Sequence, residues 1–161
     1  LAELTHFDPN VLQLPRLRKL SIDRSCNLLG LELQGSFSHL RHLSSLQLSD
    51  LSFDTMDVLG LPNLQQLSCK NAVYHLTGLG QATSLRSLTL DMRSAESLPG
   101  QLLPELPALE HLSFRGLPTA AVASTANWEG FPQLRSLSLH AWCSEPLDLL
   151  ALTGQLRLEV S

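Results

Sequence analysis

Two histidines three residues apart, His39 and His42, and three cysteines, Cys26, Cys69 and Cys143, are the side chains with which this sequence could hold a metal or build a nucleophile. A zinc site needs three or four such ligands at close spacing, and a reactive thiol needs a neighbouring base or cation to lower its pKa. Neither arrangement is legible. The cysteines are odd in number, lie far apart and include no CxxC pair. No HExxH, glycine-rich phosphate loop or nucleophile elbow occurs. His39 and His42 read as surface residues of a turn, and Cys69 as a small buried apolar residue. The expectation is a protein that is not an enzyme, with no catalytic residue, no metal and no cofactor, and with no small-molecule substrate implied.

Charge and hydropathy narrow the partners. A net charge of -4 with only 11 Lys and Arg in 161 residues does not provide the clustered positive charge that a phosphate backbone demands, so nucleic acid is not expected. Polar residues interrupt the longest leucine stretches every few positions, so no membrane span is expected. There is no Asn-x-Ser/Thr sequon, and the cysteines form no disulfide framework; both point to a cytoplasmic location.

The elements that would position any site follow from leucine, which makes up about a quarter of the chain against about a tenth in an ordinary domain. The pattern Leu-x-x-Leu-x-apolar recurs at Leu17, Leu20, Ile22; Leu43, Leu46, Leu48; Leu64, Leu67, Cys69; Leu85, Leu88, Leu90; Leu109, Leu112, Phe114; and Leu134, Leu137, Leu139. A degenerate copy is read at Thr153, Leu156 and Leu158. Successive copies start 19 to 26 residues apart. Within each copy the last apolar positions alternate with polar ones, which predicts a short strand with one buried face.

A second regularity precedes each copy, with apolar residues three and six positions upstream: Val11 and Leu14, Phe37 and Leu40, Val58 and Leu61, Leu79 and Ala82, Leu103 and Leu106, Trp128 and Phe131. A strict spacing of three predicts a 3₁₀ turn or short helix before each strand. Pro15, Pro62, Pro107 and Pro132 follow the second of these positions and are expected to force the chain out of the turn and into the strand. The stretch from Asp23 to Ser36 reads as an insertion in the outer arm, although Leu31 to Leu33 alternate as a strand would. The Ala-rich stretch around Ala120 to Ala123 reads as helical.

No such unit closes a core alone, so neighbours must stack, with strands pairing in parallel and the bulkier turns packing behind them. The predicted fold is therefore an α/β solenoid with short parallel strands on a concave face and 3₁₀ or short helical turns on the convex face. Residues 1–161 read as a single domain of about six to seven repeats, an excerpt of a longer chain without polar caps.

In these motifs, from Val11 to Val160, the chain resembles the leucine-rich repeat superfamily. It departs from the family in one respect. Many members carry Asn or Cys two positions beyond the last strand residue, where this chain has Ser25, Leu51, Ala72, Arg93, Leu117 and Trp142. The irregularity is similar to that of the cytoplasmic repeats of F-box proteins, plant immune receptors and bacterial effectors. The resemblance implies a protein-protein interaction module, the non-catalytic recognition segment of a larger protein. One alternative is the substrate- or ligand-reading arm of a ubiquitin ligase or immune receptor; a structural spacer is another.

Counting the first leucine of each copy as position one, positions three, five and seven should project from the concave face. Position seven is the most charged row: Asp23, Ser49, Lys70, Asp91, Arg115, His140 and Glu159. Lys70 with Asp91, Asp91 with Arg115, and His140 with Glu159 are expected as solvated pairs worth under about 1 kcal/mol each. The degenerate copy places Gln155 at position three and Arg157 at position five. Partner contact is expected on the C-terminal repeats, where His111, Arg115, His140 and Arg157 gather donors with Trp142 at the margin. Seven strands offer a concave patch of roughly 400 Å², half of the roughly 800 Å² a stable complex covers on each partner.

Overall fold

A computed structural model describes residues 6–7, 14–23, 32–33, 37–50, 55–70, 75–91, 106–115, 131–140 and 157–160. Its strands are β1 (His6–Phe7), β2 (Lys19–Asp23), β3 (Glu32–Leu33), β4 (Ser45–Ser49), β5 (Thr55–Asp57) and β6 (Gln66–Lys70). They continue with β7 (His75–Thr77), β8 (Ser87–Asp91), β9 (His111–Arg115), β10 (Ser136–His140) and β11 (Arg157–Val160). Seven form one parallel sheet in the order β2-β4-β6-β8-β9-β10-β11, so that each repeat's strand lies beside those of its neighbours in the chain. Helix is almost absent: among the described residues it amounts to one 3₁₀ turn at Leu79–Gln81.

From β2 to β10 the strands occupy positions three to seven of each leucine copy, and like positions pair across the sheet, as in Leu46 with Leu67 and Leu67 with Leu88. Alternation decides which face is covered. Leu46, Leu48, Leu67, Cys69, Leu88, Leu90, Leu112, Phe114 and Leu137 are all 2% exposed or less. The leading leucines Leu43, Leu64, Leu85 and Leu109 are fully covered and belong to the same cluster. Each such leucine contributes about 1.5 to 3 kcal/mol through removal of its side chain from water. At the β2 edge, which has a strand on one side only, Leu17, Leu20 and Ile22 are partly buried and Leu14 is 50% exposed. The expectation that Leu14 fills a core slot therefore fails, because nothing among the described residues stacks on its open side.

The spacing of three is realised as chained turns. Leu40 donates its N–H to the Phe37 carbonyl and Leu43 to the Leu40 carbonyl; Leu61 and Leu64 do the same with Val58 and Leu61, and Ala82 and Leu85 with Leu79 and Ala82. Pro15, Pro62, Pro107 and Pro132 each fall at the second residue of such a turn, as in Leu61-Pro62-Asn63-Leu64. A fixed φ favours that position. Proline here opens the final turn, which corrects the expectation that it drives the chain directly into the strand.

Backbone groups also join the repeats. The Arg18 carbonyl accepts N–H bonds from both Ser44 and Ser45, and the Ser44, Gln65, Arg86 and Glu110 carbonyls each accept two from the next repeat in the same way. Asn63 Nδ2 donates to the Arg41 carbonyl at 2.8 Å, and Ser44 Oγ to the Arg18 carbonyl at 2.9 Å. Side chains in the turns thus satisfy carbonyls of the preceding repeat.

The sequence pattern misses two small parallel sheets outside the seven-stranded one, β1 with β3 and β5 with β7. His6 pairs with Glu32 at the same 26-residue offset that separates Lys19 from Ser45. The Glu32–Leu33 stretch therefore belongs to the repeating unit, which corrects its reading as part of an insertion. In the other pair Asp57 lies opposite Thr77, an offset of 20, whereas Gln66 and Ser87 are 21 apart. Gly78 supplies the extra residue. Its φ is +75°, and a Cβ there would lie 2.5 Å from Asp57 Oδ1, which already accepts the Leu59 N–H at 2.8 Å. The predicted helix around Ala120 to Ala123 lies outside the described residues.

Candidate partner-binding surface

On the face opposite the core, strand ends from five neighbouring repeats enclose a hollow of about 430 Å³ lined by Asp23, Ser49, Asp50, Lys70, Thr89, Asp91, Ser113 and Arg115. Asp23, Ser49, Lys70, Asp91 and Arg115 are register partners on β2, β4, β6, β8 and β9. Thr89 and Ser113 pair one step earlier on the same face. Asp50 enters because the chain leaves β4 through a left-handed residue, φ +54°, whose N–H donates to the Lys70 carbonyl at 2.8 Å. Aspartate tolerates that conformation better than most residues.

The charges pair less than their order in the row predicts. Arg115 Nε lies 4.0 Å from Asp91 Oδ2, with the arginine side chain 49% exposed and the aspartate 7%. The described residues show no ion pair for Lys70 with Asp91, although the two are register partners. A shorter pair joins Arg86 to Glu110 at 2.9 Å, one position before the strands begin. With its side chains 62% and 26% exposed, solvent screening leaves it little stabilising value.

The sequence-derived candidates separate. Arg115 and His140 are register partners, whereas Arg157 pairs with Ser136, which in turn pairs with His111. Arg157 therefore occupies position three and Glu159 position five, and Glu159 lies opposite Ser138. This corrects the predicted register of the last copy by two residues, so Glu159 is not the register partner of His140. A two-residue slip keeps the same side chains on the same face, so alternation alone cannot detect it. By strand spacing and rise, Arg115 and Arg157 lie about 16 Å apart. His111 and Arg115 are exposed, and Trp142 lies outside the described residues.

Two further expectations change. Ser45, expected to project outward, is only 6% exposed in the row between Lys19 and Gln66. His42 is exposed, but both ring nitrogens of His39 are buried without a hydrogen-bond partner, beside a second hollow of about 600 Å³ that includes Arg41, Pro62 and Gln81. The turn spacing hid this because His39 falls between the apolar positions. Among the described residues no three His, Cys, Asp or Glu side chains gather closely enough to hold a metal, and no helix is long and apolar enough to cross a membrane.

Cys69 fills the core slot expected of it, and burial pushes its thiol up to about 12 from 9.0. In a variant with Cys26 and Cys143 changed to serine, a thiol reagent at pH 8 should label Cys69 only through unfolding. Its rate should rise with denaturant in step with the unfolded population; fast labelling of the native protein would show that the slot is open. The folded pKa is the higher one, so the native state keeps its proton where the unfolded state has lost it. This contribution to stability is intact below pH 9 and declines between pH 9 and about 12.

No protein-family model matches the chain, and no curated protein or solved structure matches it.

Proposed function

We propose that the chain is a leucine-rich repeat solenoid that binds another protein, the non-catalytic recognition segment of a larger molecule. The observation that supports this reading is the unbroken outward face of the parallel sheet. Apolar positions turn inward strand after strand, while hydroxyl, amide and charged side chains stand in register on the other side and leave a polar hollow at the strand ends. Such a face adds little to the core and offers a partner many directed donors and acceptors.

The test is to capture partners of the full-length protein by cross-linking, identify one, and measure its Kd against two double variants. Reversing charge with Arg115→Glu and Arg157→Glu should weaken binding about tenfold or more, a loss of about 1.4 kcal/mol. Gln47→Glu with Gln66→Glu, at exposed positions toward the N-terminal strands, should have a smaller effect. Both should melt near the parent. The reverse ranking would move the site toward β4 and β6, and a captured complex indifferent to both would favour a spacer.

A further inference from the structure

We propose that the hollow at the strand ends seats a carboxylate side chain of the partner between Arg115 and Lys70, with a cationic residue of the same extended segment against Asp23. This rests on the partner-binding reading above and specifies the chemistry of what is bound.

The donors converge. The closest approach of Arg115 to Asp91 is through Nε at 4.0 Å, so that carboxylate does not grip the terminal fork of the guanidinium, and the side chain is half exposed. A guanidinium fork matches a carboxylate bidentately and holds it more strongly than a neutral donor would. Lys70 is exposed, lines the same hollow and makes no ion pair among the described residues. The two cations stand two strands apart, about 10 Å by strand spacing. That leaves room for a carboxylate between them, above the hydroxyls of Thr89 and Ser113. Asp91, largely buried on the intervening strand, sets a like charge beneath this seat, so an incoming carboxylate must engage both cations to offset it.

The opposite end carries the reverse charge. Asp23 is exposed on β2 beside Ser49, and Asp50 lies next to it in the chain's exit from β4. The seat between Lys70 and Arg115 is centred over β8, three strand intervals from β2, about 14 Å. An extended segment covers that distance in about four residues. A segment laid across the strand ends would therefore carry its acidic and basic residues about four positions apart.

A random decapeptide library displayed on phage, selected against the immobilised full chain, tests this directly. Selected peptides should be enriched in Asp or Glu with Lys or Arg about four positions away, and should bind more weakly as salt is raised. Lys70→Glu, which breaks no ion pair, should weaken a selected peptide about tenfold or more, as should Arg115→Gln, which introduces no new charge beside Asp91. Replacing the peptide's acidic residue by Lys should restore binding to Lys70→Glu. Peptides that ignore both changes but are lost with Gln47→Glu and Gln66→Glu would overturn the seat while leaving the partner-binding reading in place. Failure to select any peptide whose binding depends on the outward face would overturn both.

Discussion

Leu46→Ala should destabilise the protein by about 2 to 5 kcal/mol, whereas Gln47→Ala, the next residue on the same strand, should change stability by less than about 0.5 kcal/mol. Leu46 is fully covered in the interior of β4, and the strands on both sides place Leu20 and Leu67 in register with it. Truncation removes the transfer energy of the lost carbons and leaves a cavity that neighbours held by two ladders cannot easily fill. Gln47 points the other way and is exposed. Urea melts of the two variants should differ in midpoint with little change in slope. Equal midpoints would mean that the strand faces have been exchanged, which a one-residue slip would produce throughout the sheet.

A comparable loss is expected from a backbone position with no side chain to pack. Gly78→Val should cost about 2 to 4 kcal/mol, and Gly80→Ala, two residues later, less than about 1 kcal/mol. Gly78 has a φ of +75°, where a β-branched residue is strained. Its new Cβ would also meet Leu59 N at 2.7 Å as well as Asp57 Oδ1, in the turn that Asp57 itself closes. The same turn holds the Val58 to Thr77 backbone bond of 3.1 Å, which ties β7 to the preceding repeat and is exposed to any shift of the 57–60 turn. Gly80 has no positive φ. Thermal melts should separate the two variants by several degrees, and similar midpoints would show that the 57–60 turn can move aside.

Strand positions could be read from the sequence because leucines are large and their period is specific. Positions three to seven of six copies became strands without a shift, down to Phe114 standing where Leu48 and Leu90 stand in other copies. Features depending on one side chain's neighbours were not legible. Ser45 is buried although it stands in an outward row, and the His39 ring nitrogens are covered although the residue falls between the apolar turn positions. The register of β11 escaped because Leu156 and Leu158 satisfy alternation as well as Leu158 and Val160 do. The strands of the two small sheets escaped because two or three residues are too few to show a period. Of the site, the charged row was visible, but its order suggested closed pairs. Only the geometry leaves Lys70 outside them and adds Asp50 through its left-handed turn.

The doubled bonds at the second position of five successive repeats bear on how this surface can diversify. Arg18, Ser44, Gln65, Arg86 and Glu110 differ in size and charge, yet each presents the same carbonyl to the same two N–H groups of the next unit. That junction uses atoms common to nearly every amino acid, and the interior accepts any apolar residue of suitable volume. The outward residues are constrained by neither, so whole units could be duplicated, exchanged or re-lettered at their exposed positions while the joint between them stays chemically the same.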